Sequence, residues 1–291
     1  MNMEKDIGHM KILSPAKINL FLQITGKRID GYHDLVTLLC CVGLYDTVSL
    51  VFGAKETTIA CDDPNVPEDE TNLAFGAANL FLKTLNKNEG VKISIEKNIP
   101  VAAGLGGGSS NAAAVLLGLN RYNGNPFSQD ELMHMGLSIG ADVPFFIFRK
   151  PAIASGIGEK LEAYQGLEKL KILLIFPGFG VSTAEVYKSL NLGLTKCKNQ
   201  LKDTLLNSHS FDPRYHLCND LETVVASKYP AIFAAKEALI GQGALGALMS
   251  GSGPTVFGLF SDFDKARRAG RILSQNDKWQ IYHADMITQD I

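Results

Sequence analysis

The stretch PVAAGLGGGSSNAAA, from Pro100 to Ala114, constrains this chain more than any other segment. Glycines at 104, 106, 107 and 108 leave the backbone free to turn several N–H groups toward one point, which makes an anion-binding concavity. Just upstream, Val91, Ile93 and Ile95 alternate with Lys92, Ser94 and Glu96, the pattern of a strand with one buried face. Just downstream, the Ala- and Leu-rich run from Asn111 to Tyr122 predicts a helix, with Ser109 and Ser110 as its caps. A strand, a glycine loop and a helix in succession aim backbone amides, hydroxyls and the positive end of the helix at the same place, as phosphate groups require. A flexible linker would not carry such flanks. No G-x-x-x-x-G-K-[ST], H-R-D or D-F-G signature is present, so the loop is neither a Walker A nor a protein-kinase loop.

The 291 residues leave room for two domains. The pattern resets near Gly166, which places the expected division at 1–167 and 168–291. Lys and Arg number 28 against 30 Asp and Glu, a net charge of -2, so no global field draws the protein to nucleic acid or to a membrane. Any polyanion must be held locally. The five cysteines, at 40, 41, 61, 197 and 218, contain no C-x-x-C pair and read as reduced, mostly buried thiols. The N-terminal residues lack the apolar run of a signal peptide and the Arg-rich pattern of a transit peptide, and no run of about 18 apolar residues occurs. A cytoplasmic protein is expected, with a frayed polar tail before Met10.

From Lys11 to Ile24 the alternation puts Ile18, Leu20, Leu22 and Ile24 on one face of a strand and Lys17, Asn19 and Gln23 on the other. That second face is either a solvated edge or the lining of a cleft. A helix from about Ser128 to Ile139, ended by Gly140, precedes Asp142 in a turn. Such an Asp can simply form the turn, or hold its carboxylate at a reacting hydroxyl. Strands at Leu170 to Phe176 and Thr255 to Phe260, with a helix around Ala231 to Ile240, complete an α+β pattern. The stretch from Lys196 to Pro213 is polar and weakly periodic. Ser250 to Thr255, SGSGPT, forms a second glycine loop, able to bind phosphate or to approach the first loop closely. Gly241, Gly243 and Gly246 spell G-x-G-x-x-G, but a helix precedes them and a strand follows, so they read as a helix-to-strand turn.

Four segments in order, SPAKINLFLQI at 14–24, PVAAGLGGGSSNAA at 100–113, GADVPFF at 140–146 and SGSGPT at 250–255, resemble the GHMP kinases, the family of galactokinase, homoserine kinase, mevalonate kinase and phosphomevalonate kinase. The resemblance implies a two-domain α+β fold: an N-terminal domain like the second domain of ribosomal protein S5, a ferredoxin-like C-terminal domain, and an active site between them. It implies ATP and Mg, with Pro100, Val101, Ala102, Ala103, Gly104, Leu105, Gly106, Gly107, Gly108, Ser109 and Ser110 holding the nucleotide. In this reading Asp142 is the base that orients and deprotonates the acceptor hydroxyl, Lys17 stabilises charge on that oxygen and the transferring phosphoryl group, and Asn19 positions the acceptor.

The triple glycine, the PAKINL strand and Asp30-Gly31-Tyr32-His33 are similar to one branch of that family, whose acceptor is diphosphocytidyl-methylerythritol, phosphorylated on its 2-hydroxyl in non-mevalonate isoprenoid synthesis. In that branch Tyr32 and His33 would hold the cytosine. Tyr187 would close the other face of the base, or else belong to the core. Two departures from the pattern matter. Ala102 and Ala103 replace a glycine often found there, and Asn111 stands where many members carry Asp, which leaves the Mg ligands open. Other expectations of the family keep the kinase and change the acceptor to mevalonate or homoserine, or keep ATP and lose catalysis. The ribosomal likeness also suggests an RNA-binding module, which the net charge disfavours. A monomer or a homodimer fits equally.

Overall fold

The computed structural model describes residues 8–190, 197, 203, 205 and 210–289. In chain order these form β1 (His9–Lys27), β2 (His33–Ala54), β3 (Thr58–Cys61), α1 (Leu73–Thr84), β4 (Gly90–Glu96), α2 (Gly107–Tyr122), α3 (Gln129–Ile139), α4 (Val143–Phe148), β5 (Ala152–Gly156), β6 (Lys160–Ala163) and β7 (Lys171–Phe176). There follow α5 (Thr183–Lys188), α6 (Pro213–His216), β8 (Cys218–Asn219), α7 (Glu222–Lys228), α8 (Pro230–Gly241), β9 (Gly246–Met249), β10 (Val256–Phe260), α9 (Phe263–Leu273) and β11 (Gln280–Ile287). Most of the expected polar stretch at 196–213 lies outside the described residues.

The chain divides into two compact units, and β1 and β2 are long enough to run through both. Among the described residues, the first comprises 8–16, 45–101 and 106–148, and the second comprises 17–44, 102–105 and those from 149 onward. In the first, β4 lies between β3, parallel to it, and the C-terminal half of β2, antiparallel with Val48 opposite Ile95. The alternation read from Val91 to Ile95 is the buried face of β4, and α1 to α4 pack together in the same unit. Ala112, Ala113 and Ala114 give α2 a thin buried flank, which lets α1 approach it closely. Ser128 caps α3 through a full capping box with Glu131.

In the second unit β7 is the middle strand, antiparallel to β10 on one side and β11 on the other, with β9 outside β10. The N-terminal half of β2 pairs with β5, and β5 pairs with β6. The core joins Leu173 and Ile175 of β7 to Val256 and Phe260 of β10, Ile232 and Leu239 of α8, and Ala266 and Ala269 of α9. G-x-G-x-x-G falls at the end of α8 and the start of β9, the helix-to-strand turn that its flanks imply.

Four expectations need correction. The solvated-edge alternative for β1 fails from Ser14 to Ile24, where Lys17, Asn19 and Gln23 are buried along with Ile18, Leu20 and Leu22 because neighbours cover both sides of the strand. The helix after the glycine loop begins at Gly107, not Asn111, so Ser109 and Ser110 lie inside its first turn and Gly106, at φ 71°, takes the cap position. The tail before Met10 is not all frayed, since His9 starts β1 and the Gly8 carbonyl accepts a bond from the Phe52 amide.

The fourth concerns the thiols. Cys197 and Cys218 are joined in a disulfide, their Cα atoms 5.7 Å apart and 21 positions apart in sequence, while Cys40, Cys41 and Cys61 remain free. Sequence spacing does not encode this pairing, because tertiary folding brings the two together. Closing a loop of that length removes denatured-state entropy equivalent to about 3 kcal/mol. Burial pushes the Cys40 thiol up to about 12 and raises Cys41 as well, so both are unreactive at neutral pH. Thiol titration of the unfolded, unreduced protein is expected to count three sulfhydryls, rising to five after reduction. A count of five before reduction would exclude the bond.

Candidate active site

Each functional side chain is placed by its own unit. In the second unit, Lys17 Nζ donates to Asn19 Oδ1 at 2.7 Å, Asn19 Nδ2 donates to Thr37 Oγ1 at 2.9 Å, and Thr37 Oγ1 donates to the Phe21 carbonyl at 2.5 Å. Lys17 and Asn19 meet because residues two apart on a strand share a face, and Thr37 reaches them from β2. The chain holds the Lys17 ammonium in one place, because all three side chains are buried.

The same unit contains Ala102 to Leu105 of the first glycine loop and all of the second loop. Here the two readings of SGSGPT resolve toward close approach. Ser250 Oγ donates to the Gly104 carbonyl at 2.9 Å, and the Thr255 amide donates to the Ala103 carbonyl at 3.3 Å. A side chain on Gly104, which has φ 75°, would put its Cβ 2.2 Å from the Ser250 carbonyl oxygen. Gly251 lies against the lysine: a Cβ there would be 3.2 Å from both Lys17 Nζ and Asn19 Oδ1. The amide of Lys17 donates to Leu105 O at 2.9 Å, so β1 and the first loop are also tied through backbone. Ala102 holds φ 52°, a left-handed conformation that costs an alanine about 1 kcal/mol and that glycine adopts freely.

Asn219 and Asp220 were not legible as site residues, yet they brace this arrangement. Asn219 Nδ2 donates to the carbonyls of Met249 and Gly251, each at 2.8 Å. Asp220 accepts from the Ile24 amide at 2.9 Å and from the Cys197 amide at 3.0 Å. Both follow directly on the disulfide residue Cys218, and their only sequence signal is a pair of polar residues ahead of an apolar helix. Thr183 and Ser252 share a hydroxyl–hydroxyl bond of 2.7 Å, which links α5 to the second loop.

His33 is buried and Tyr32 beside it is 60% exposed. The His33 ring lies 5.5 Å from that of Tyr187, tilted by 36°. Burial, helped by the nearby Lys27 charge, holds the His33 imidazole below its ordinary value, so it is neutral at pH 7. Tyr187 is half-buried against the core of this unit, so it takes part in the packing and also reaches His33.

The first unit holds the other candidate residues. α2 starts with Gly107 and Gly108, whose free amides and helix dipole favour an anion. Ser110 Oγ accepts from Ser14 Oγ at 2.7 Å. Asp142 is half-buried in the turn between α3 and α4, where the Val143 amide bonds back to Gly140. Asn111 Nδ2 is buried without a hydrogen-bond partner. As a donor it suits a phosphate oxygen, not a cation. Among the described residues, only Cys197, Cys218 and Asp220 cluster as three potential metal ligands, and two of them form the disulfide. A hard dication such as Mg therefore finds no carboxylate cage here, which suits one that arrives with the phosphates of its nucleotide.

The sequence matches the GHMP kinases N terminal domain over residues 72–150 and the GHMP kinases C terminal domain over 197–278. It is 46% identical over 276 residues, 94% of this chain and 98% of its relative, to a protein of Syntrophotalea carbinolica named 4-diphosphocytidyl-2-C-methyl-D-erythritol kinase. The chain belongs to the GHMP kinase family. The fold of this GHMP kinase superposes on a crystal structure of 4-(cytidine 5'-diphospho)-2C-methyl-D-erythritol kinase with a TM-score of 0.78, at 34% identity over 95% of this chain and 99% of the other. A homoserine kinase from Cytophaga hutchinsonii superposes almost as well, at 0.77, with 19% identity over 99% and 98% of the two chains. Fold similarity alone thus does not choose the acceptor of a GHMP kinase. As a member of the family it uses ATP as a substrate. No helix among the described residues is long and apolar enough to cross a membrane.

Proposed function

We propose that this GHMP kinase transfers the γ-phosphoryl group of Mg-ATP to the 2-hydroxyl of 4-diphosphocytidyl-2-C-methyl-D-erythritol, giving the 2-phosphate and ADP, in the non-mevalonate route to isoprenoid precursors. The observation that carries this reading is 46% identity to a kinase of that name over nearly the whole of both chains. The exposed Tyr32 ring next to the neutral His33 supports it, since a pyrimidine needs a flat apolar surface and a hydrogen-bonding partner at its edge.

Phosphoryl transfer through a loose transition state asks mainly for alignment and charge neutralisation. In our reading residues 100–110 hold the triphosphate with backbone amides and the Ser109 and Ser110 hydroxyls. Lys17, held by Asn19 and Thr37, neutralises charge on the moving phosphoryl group and the acceptor oxygen. Asp142 orients the hydroxyl and takes its proton late in the step. Asn19, Tyr32, His33 and Tyr187 position the acceptor. Mg, bound with ATP, would neutralise charge on the phosphate oxygens. We place the functional division of the chain at 1–167 and 168–291, with localisation in the cytoplasm.

The test is ADP release with Mg-ATP, comparing the cytidylyl acceptor with methylerythritol phosphate, mevalonate and homoserine. Turnover with the cytidylyl compound alone is expected. Tyr32→Ala should then raise its KM roughly 5- to 150-fold, the equivalent of about 1–3 kcal/mol for stacking a base on an aromatic ring. Turnover of mevalonate or homoserine instead would keep the kinase and replace the acceptor.

A further inference from the structure

Among the described residues without a role so far, Asp46 stands out as a fully buried carboxylate. Its side chain is fully buried and its oxygens accept three bonds: Oδ1 from the amides of Asn98 and Ile99, each at 2.9 Å, and Oδ2 from Lys97 Nζ at 2.5 Å. Lys97 is itself nearly buried, with 7% of its side chain exposed, and its own amide is held by Asp62 Oδ1 at 2.8 Å. The three residues that lead into Pro100 and the glycine loop are therefore pinned one after another.

A buried ion pair is a costly way to hold a backbone, because removing both charges from water consumes most of what their attraction returns. An amide or hydroxyl acceptor would have served. The placement of the ammonium gives the pair a purpose. A Cβ built on Gly107, the first residue of α2, would lie 3.0 Å from Lys97 Nζ and 3.1 Å from Ile99 Cγ2, so the charge sits directly against the start of that helix. A cation is unfavourable at the positive end of a helix unless an anion is there too. Gly107 has no side chain to intervene, and Asp46 faces the ammonium through its other oxygen.

We propose that Asp46 and Lys97 are a positioning pair for the nucleotide phosphates: Asp46 sets the backbone that leads into the loop and aims Lys97, whose charge deepens the positive potential at the first turn of α2. This rests on the reading that residues 100–110 hold the triphosphate. It adds two residues beyond the loop, from the end of β4 and the middle of β2, that act on ATP through the helix end rather than on the acceptor.

The test separates charge from architecture. Asp46→Asn keeps Oδ1 for the two backbone amides, and Lys97→Met keeps the length of the side chain, so the double variant preserves the pinning and the packing while removing both charges. Binding of ATP, ADP and adenosine to the purified full-length protein is measured directly, with melting temperature and the KM of the acceptor alongside. The double variant is expected to melt within a few degrees of the parent and to bind ATP and ADP at least tenfold more weakly. Adenosine affinity and the acceptor KM should stay within twofold. Unchanged ATP and ADP affinity would overturn the proposal, as would an equal loss for adenosine, which would mean that the pair only shapes the pocket. If the double variant does not fold, Lys97→Met alone is put through the same three nucleotides with the same criteria. Failure of the parent protein to bind ATP would strike the nucleotide-loop reading instead.

Discussion

Asp142→Asn is expected to lower kcat about a thousandfold, and Lys17→Ala to lower it roughly a hundred- to a thousandfold, with neither change abolishing ATP binding. A positioned general base contributes roughly 10²–10⁴ in rate, and a single charge-stabilising group about 10²–10³. Asparagine matches aspartate in size but cannot take the proton. Asp142 lies half-buried in a turn closed by the backbone bond from Val143 to Gly140, and asparagine keeps the size of the side chain and one acceptor oxygen there. Lys17 is different, because it is buried and bonded to Asn19, and its removal frees the Asn19 carbonyl and will cost some stability as well. Single-turnover rates at saturating ATP, read with a thermal melt of each variant, separate the two effects. Near-normal turnover in a folded variant would remove that residue from the mechanism.

Gly104→Ala should damage both stability and nucleotide use. The left-handed φ of 75° costs an alanine about 1–2 kcal/mol, and overpacking adds about 1–3 kcal/mol. The new Cβ would sit 2.2 Å from the Ser250 carbonyl oxygen and 2.9 Å from the Gly253 amide, both backbone atoms that cannot swing aside. The two loops must therefore separate, which breaks the bond from Ser250 Oγ to Gly104 O. We expect a melting temperature lower by several degrees and kcat/KM for ATP lower by roughly a hundredfold, since an ångström of misplacement can cost that much. A variant with parental stability and parental kcat/KM for ATP would show that the close approach of the loops is not needed for nucleotide use.

Where local composition decides local structure, the sequence was readable. The alternation of Val91, Ile93 and Ile95 is β4, the helix expected from about Ser128 to Ile139 is α3, and the flanks of Gly241 and Gly246 identify a turn. The same logic misplaced the start of α2. Serines after glycines look like caps, but a left-handed Gly106 lets the helix begin earlier. It also left two readings of β1 open, because period-two alternation reports which face is apolar and not whether something covers the polar one.

Motif order and residue type determined by themselves the family and the kind of chemistry: a glycine loop before a helix needs only local backbone freedom, and four such segments in order rarely recur by chance. Only the tertiary structure decided how the groups are held. Thr37, Asn219, Asp220 and Asp46 lie far along the chain from the groups they brace, and Cys197 finds Cys218 only after folding. Contacts between distant segments depend on which surfaces the folded chain brings together, and such pairings leave no periodicity or spacing that a linear reading can register.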